Sequence, residues 1–103
     1  MWAQLITMRL KPGREADVKG LMEQLQAAEQ PDSGLLRTTT MRDINDPSLV
    51  YTLVVFENEG KARARENDPR RQEALQAVRA TMAEMFDGAP QFVDLTVDYD
   101  VSP

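Results

Sequence analysis

The chain has 103 residues, 42% of them hydrophobic, and we interpret residues 1–103 as a single domain. Its 12 lysines and arginines against 17 aspartates and glutamates give a net charge of −5, which argues against nucleic acid or anionic lipid surfaces as partners. Cysteine and histidine are both absent, so the sequence excludes disulfides, thiolate nucleophiles and zinc sites of the Cys/His kind.

The first predicted elements are a strand and a helix. Apolar side chains alternate from Trp2 to Leu10, as in a strand, and Pro12-Gly13 ends it. From Arg14 to about Glu29 apolar residues recur every three or four positions, which predicts an amphipathic helix. Its apolar stripe consists of Val18, Leu21, Met22, Leu25 and Ala28.

Two further strands form a predicted antiparallel hairpin. They run from Leu35 to Arg42 and from Leu49 to Glu57, and residues 43–48 between them have the composition of a turn. The second of these strands is apolar on both sides. This pattern is typical of a central strand whose two faces are both covered.

Two helices and a last strand complete the chain. Residues 58–67 predict a short charged helix, and Asp68-Pro69 then supplies an N-cap and a first-turn proline for a longer helix. Gly88 stands where a left-handed C-cap would end that helix. The pattern from Phe92 to Val101 predicts a strand with one apolar, buried side and one polar, water-facing side.

The order of these elements predicts an α+β fold. Strand, helix, strand, strand, helix, strand is the ferredoxin-like β-α-β-β-α-β arrangement, with a four-stranded antiparallel sheet and both long helices on one face. Because the helices cover only one face while the central strands are apolar on both, a second copy of the chain is the simplest cover for the other. We therefore expect a homodimer.

A cytoplasmic location is expected from what the sequence lacks. No run approaches the roughly 20 apolar residues of a membrane span. The first residues, MWAQLITMRL, also lack the basic start and the small-residue cleavage site of a signal peptide.

Three segments together resemble the antibiotic biosynthesis monooxygenase (ABM) family. They are LITMRLKPGRE near the start, VVFENEGKARARENDPRRQEAL after the hairpin, and the closing strand. The resemblance spans nearly the whole chain and implies a dimeric α/β barrel. The family includes cofactor-independent oxygenases of polycyclic aromatic compounds, haem-degrading enzymes and isomerases, so the reaction has to be argued from residues.

The resemblance disfavours haem degradation. The haem-degrading branch uses an asparagine, a tryptophan and a haem-ligating histidine, and the matching positions here hold Ile6, Arg65 and Leu75. No other histidine is present to bind haem iron. The quinone-forming branch needs no bound cofactor, because a phenol substrate can itself pass an electron to oxygen in a dry cavity. We accordingly expect no cofactor.

Five residues are candidates for ligand binding. Trp2 and Gln4 share the strand side that faces the cavity in the family, as a wall and as a partner for a ligand oxygen. Arg37 has the geometry to hold a carboxylate or phenolate, Tyr51 to hydrogen-bond a substrate, and Asn67 to orient a carbonyl. Each also has a purely structural explanation: core packing, a dimer or solvent contact, or a loop hydrogen bond.

Two charged groups are interpreted as structural. Arg63, Arg65, Arg70 and Arg71 alternate with acidic residues at helical spacing, which predicts a solvated helix face held by ion pairs. Three aspartates, Asp94, Asp98 and Asp100, share one side of the predicted last strand. Side chains even two positions apart on a strand lie about 7 Å from each other, and no binding loop is present, so we predict no metal site.

Two functions follow as hypotheses. The first is a cofactor-independent monooxygenase that oxidises a small aromatic or apolar metabolite in a pocket under the helices. The alternative is a non-catalytic dimeric module that binds a small molecule or a partner protein. An oxygenase needs an open pocket, whereas a structural module would fill that space with Met22, Met82, Met85 and Phe86.

Overall fold

The computed structural model describes residues 1–103 and confirms the predicted fold. The strands are β1 (Trp2–Arg9), β2 (Leu35–Arg42), β3 (Leu49–Phe56) and β4 (Gln91–Thr96). The helices are α1 (Val18–Ala27), α2 (Glu59–Glu66) and α3 (Pro69–Met85), with a 3₁₀ turn at Glu15–Asp17 before α1. All strand pairs are antiparallel, in the order β2-β3-β1-β4. None of the helices has the length and apolar character needed to cross a membrane.

Side-chain caps position the second and third helices. Asn58 accepts a hydrogen bond from the Lys61 amide at 2.8 Å, and Asp68 accepts one from the Arg70 amide at 2.9 Å. The predicted Asp68-Pro69 start of α3 is thus confirmed. The predicted end is wrong, because the backbone is already extended at Phe86, which pairs with Leu10. Gly88, with φ of +79°, belongs to the turn that leads to β4.

The main core lies between the sheet and the two long helices. Its fully buried members are Met8, Leu10, Leu21, Val50, Val78, Met85 and Phe86. A second cluster of Trp2, Val54, Phe56 and Ala62 lies under α2. The four side chains that would have filled a ligand space in the non-catalytic alternative, Met22, Met82, Met85 and Phe86, all pack in or against the main core.

The last strand is shorter than predicted. β4 pairs only with β1, and its final residue, Thr96, lies opposite Trp2 where β1 begins. Residues beyond it have no strand to pair with, so the predicted extension to Val101 is wrong. Both sides of β4 are exposed in the single chain, since no helix covers it.

The sheet face opposite the helices is apolar and uncovered. Two rows of side chains cross it, one of Val93, Leu5, Leu53 and Thr39 and one of Leu95, Ala3, Val55 and Arg37. At β4 the exposed fractions are 50% for Val93 and 37% for Leu95. We call this surface, defined by the two rows, the outer sheet face.

Candidate functional site

A cleft of about 970 Å³ opens between the helices and the inner side of the sheet. Its volume lies at the upper end of the roughly 300–1,000 Å³ range of small-molecule pockets. Apolar walls come from the sheet and from α1: Trp2, Ile6, Val54, Phe56, Val18, Met22 and Leu25. Neutral polar groups, notably Gln4, Thr40 and Thr52, and eight charged residues complete the lining. Such a lining suits a flat molecule that has an apolar body and carries polar or charged groups.

β3 forms part of the floor of the cleft, and its side chains alternate between the two faces of the sheet. Its even-numbered residues face the helices, which places Thr52 beside Thr40 of the neighbouring strand. The two hydroxyls lie 3.0 Å apart, and the Thr40 hydroxyl also donates to the sulfur of Met22 at 3.0 Å. These contacts tie the edge strand to α1 and hold the polar part of the floor in place.

An aromatic pair closes one end of the cleft. The ring centroids of Trp2 and Phe56 lie 6.0 Å apart, within the range of favourable aromatic contacts. The guanidinium carbon of Arg63 lies 5.1 Å from the Trp2 ring centroid, and that of Arg65 lies 5.3 Å from the Phe56 ring centroid. Both distances allow cation–π attraction. Arginines on α2 therefore fix the aromatic wall.

Gln4 is held by a partner that the sequence did not predict. Its amide donates to Asp94 at 2.9 Å, and Arg63 donates to the other oxygen of the same carboxylate at 2.9 Å. These two hydrogen bonds lower the pKa of Asp94. Asp94 thus lies on the helix side of β4, where its side chain is 47% exposed. The amide oxygen of Gln4 makes no hydrogen bond within the chain and is available to a ligand hydroxyl.

An ion pair lies where α1, α2 and the aromatic end meet. Arg65 donates to both oxygens of Glu29, with its closest contact at 2.6 Å, and the two side chains are only 17% and 18% exposed. Burial alone would raise the pKa of Glu29. Hydrogen bonds from Arg65 and Ser33, with the charges of Arg65 and Arg71, hold that pKa below its ordinary value of 4.5.

The lowered Glu29 pKa predicts a pH-dependent contribution to stability. Because the folded pKa is depressed, this contribution is present above pH 4.5 and is lost as the pH falls through the folded pKa. We expect Glu29→Gln to lower the free energy of unfolding by about 2 kcal/mol at pH 7. Urea titrations at pH 7 and pH 3 should show this difference shrinking at the lower pH. A difference that is the same at both pH values would contradict the assignment.

The structure brings three of the five predicted ligand-binding residues to the cleft. The side chains of Trp2 and Gln4 line it, whereas Arg37 borders it from the edge strand, next to an irregularity in the β2–β3 pairing, and its pairing with Val55 places its side chain on the outer side of the sheet. Tyr51 lies on the other side of the sheet, where its hydroxyl donates to Asp43 at 3.2 Å. Asn67 ends α2, and its amide donates to the Arg63 carbonyl at 3.1 Å. Ligand contact at Trp2, Gln4 and Arg37 stays a prediction.

The predicted solvated arginine face is half right. Arg63 pairs with Glu59 and Glu66, and Arg70 with Asp68 and Asp32, all of them exposed ion pairs apart from the half-buried Asp68 cap. Arg65 and Arg71 instead turn inward and line the cleft, and Arg71 is only 5% exposed. The sequence did contain a signal for the inward position of Arg71, because Arg71, Leu75 and Val78 lie on one helical stripe.

Sequence comparison gives one family match. The family model described as antibiotic biosynthesis monooxygenase matches residues 1–84, which include α1, the hairpin, α2 and most of α3. A comparison with curated proteins finds none that matches the sequence.

Solved structures share the fold along nearly the whole chain. A Bordetella bronchiseptica protein with a provisional assignment as an antibiotic biosynthesis monooxygenase is 21% identical, with 95% of this chain and 97% of that chain covered and a TM-score of 0.75. A variant of SnoaB, a cofactor-independent oxygenase from Streptomyces nogalater, is 15% identical, with 99% and 97% covered and a TM-score of 0.73. MhuD, with two manganese protoporphyrin IX molecules per active site, is 14% identical, with both chains fully covered and a TM-score of 0.74.

Proposed function

The chain belongs to the antibiotic biosynthesis monooxygenase family, and from that premise we propose that it is a homodimeric, cofactor-independent monooxygenase of a small aromatic metabolite. The observation that carries the proposal is the cleft of about 970 Å³, which combines apolar and aromatic walls with polar and charged groups. A three-ring phenolic molecule fits a space of this size and character.

The proposed reaction needs no reductant other than the substrate. In a phenolic anthrone, two C–H bonds of the ring methylene break and supply four electrons to one O₂ molecule. One oxygen atom becomes the new quinone carbonyl, and the other leaves as water with the two hydrogens. In this proposal the apolar walls contact the ring system, and the amide oxygen of Gln4 orients a substrate hydroxyl.

The outer sheet face supports the homodimer. Apolar side chains such as Leu53 and Val55 stay half exposed there, and no helix of the chain covers them. An apolar patch of this kind marks an association surface. Two copies packed through this face would bury one another's rows, in the way that β-sheets pack face to face.

Haem is not proposed as the substrate, although the fold of MhuD accommodates a porphyrin. The cleft lining offers no histidine, cysteine or tyrosine as an iron ligand. Its thioether, Met22, accepts a hydrogen bond from Thr40. At the positions that the family resemblance assigns to haem chemistry, Ile6 and Arg65 line the cleft and Leu75 packs against the core.

A non-catalytic binding module is the second candidate. The observation that favours it is the mutual pairing of Arg65 and Glu29, which engages two largely buried charged groups of the cleft with each other. Such a module would bind aromatic molecules in the same cleft and consume no oxygen.

Filling the cleft should abolish oxidation without unfolding the protein. We expect Leu25→Trp, which places a large ring in the cleft, to lower oxygen uptake with 1,8-dihydroxyanthrone at least about tenfold. The matched control is Gln24→Trp, one residue earlier on α1 and exposed outside the cleft. Uptake is measured with an oxygen electrode and corrected for the rate without protein.

The wild type separates the two candidate functions. Trp2 is the only tryptophan and lines the cleft, so its fluorescence reports binding of a coloured aromatic ligand. Quenching together with oxygen uptake supports the oxygenase, whereas quenching without uptake supports the binding module. Equal uptake by Leu25→Trp and wild type would contradict a reaction in this cleft.

A further inference from the structure

Arg71 is a buried cation whose hydrogen-bonding capacity is almost unused. It is the third residue of α3, lines the cleft and is 5% exposed. A guanidinium has five N–H donors, yet that of Arg71 makes a single hydrogen bond, from Nη1 to the Arg65 carbonyl at 3.0 Å. Its buried Nε has no partner. Buried polar groups are nearly always paired, so this donor calls for an explanation.

The carboxylates near Arg71 are already engaged by other arginines. Glu29 receives the two-pronged contact from Arg65. Asp68 receives one from Arg70, with Nε at 3.0 Å and Nη2 at 2.6 Å. Arg71 itself makes no ion pair. Neighbouring acids therefore attract it only at longer range.

The electrostatic surroundings leave the Arg71 charge uncompensated. Burial lowers the pKa of Arg71, and the charges of Arg65 and Arg79 lower it further, while Glu29 and Asp68 act in the opposite direction. A cation that is desolvated and faces other cations is stabilised when an anion enters its site.

The net charge of the cleft lining also favours an anionic ligand. Four cationic side chains line the cleft on the inner side of the sheet: Lys19, Arg42, Arg65 and Arg71. Three carboxylates accompany them, Glu15, Glu29 and Glu66, so these groups carry +1 while the chain as a whole carries −5. A cationic cleft in an acidic protein concentrates anions by its local field.

We propose that Arg71 binds an anionic oxygen of the ligand, a carboxylate or a phenolate, so that the natural ligand is an acidic aromatic compound. The inference rests on the proposed ligand cleft and adds the chemical class of its occupant. A planar guanidinium matches two oxygens of a carboxylate, or one phenolate oxygen through two N–H groups. Binding a phenolate would also favour ionisation of the phenol, the form from which an electron passes to oxygen.

The test compares an anionic probe with its neutral isostere. We expect the wild type to bind 2-naphthoate at least about tenfold more tightly than 2-naphthamide, measured by quenching of Trp2 fluorescence. Arg71→Met should reduce that preference to less than about twofold, and Arg71→Lys should restore part of it. Arg70→Met is the matched control, since Arg70 is adjacent on the helix and exposed outside the cleft, and it should keep the wild-type preference.

The melting temperature of each variant shows whether a loss of binding is caused by unfolding. Replacing a buried, unpaired charge by an apolar side chain of similar size should leave the melting temperature of Arg71→Met unchanged or raised. A second arm follows the phenol pKa of bound 1,8-dihydroxyanthraquinone by absorbance, which should be lower than in solution for the wild type and unshifted for Arg71→Met. An Arg71-dependent preference for naphthoate, without a shift in the anthraquinone phenol pKa, identifies a carboxylate ligand. An Arg71-dependent lowering of that phenol pKa identifies a phenolate ligand.

The outcomes separate this inference from the proposed reaction. Arg71-dependent selectivity without oxygen uptake would keep the inference and remove the oxygenase. Oxidation of dihydroxyanthrone with equal anion preference in wild type and Arg71→Met would overturn the inference and keep the oxygenase. Failure of the wild type to prefer naphthoate, or to bind either probe, would also overturn it.

Discussion

Leu53→Asp is expected to convert dimers to monomers. Leu53 lies at the centre of the outer sheet face, between Leu5 and Thr39 in its cross-strand row, and is half buried in the single chain. A carboxylate there would enter the proposed interface twice, once from each copy, and would lose its hydration next to a like charge. We expect the dissociation constant to rise at least about 1,000-fold, equal to about 4 kcal/mol.

Sedimentation equilibrium of wild type and variant measures this effect. Gln76→Asp adds the same charge at an exposed position on α3 and should remain dimeric. A wild type that sediments as a monomer at micromolar concentration would contradict the proposed dimer. A dimeric Leu53→Asp would show that the copies associate through another surface.

Leu21→Ala is expected to lower the free energy of unfolding by about 3 kcal/mol. Leu21 is 1% exposed and packs in the main core with residues such as Val78 and Met85. Removing three buried carbons leaves a cavity that close-packed neighbours fill only in part. The same residue anchors α1, the helix that forms one wall of the cleft, so ligand binding should weaken as well.

Chemical denaturation checks the size of this loss. Leu36→Ala removes the same atoms from a side chain that is 53% exposed and should cost less than about 0.5 kcal/mol. Equal losses for the two variants would contradict the assignment of Leu21 to the core.

Local patterns were enough to predict the order of elements. The alternation in the first strand, the apolar run of the third and the Asp68-Pro69 cap have local causes, and the structure reproduces these elements. The end of the last strand depends on a partner instead. Apolar alternation continues to Val101, yet pairing stops at Thr96 because β1 begins at Trp2. Likewise Phe86 leaves the helix to pair with Leu10, a contact 76 positions away in sequence that no local pattern contains.

The site was only partly predictable for a related reason. Strand periodicity placed Trp2 and Gln4 on a common side of the sheet, and the family resemblance assigned that side to the cavity. The partners of Arg65 and Gln4 are Glu29 and Asp94, from distant segments, so spacing within one helix or strand did not indicate them. Arg71 is different, because its place in the apolar stripe of α3 was visible in the sequence. The acidic residues around it nevertheless led to the prediction of a solvated position.

The central claim is that the cleft holds a phenolic compound while oxygen reacts with it. The most direct measurement is oxidation of 1,8-dihydroxyanthrone under ¹⁸O₂, followed by mass spectrometry of the quinone. Our account predicts one ¹⁸O atom per quinone, formed at a rate proportional to protein and above the protein-free rate, and lost in Leu25→Trp. Quinone formation no faster than without protein would contradict the account and leave a cleft that binds aromatic molecules without oxidising them.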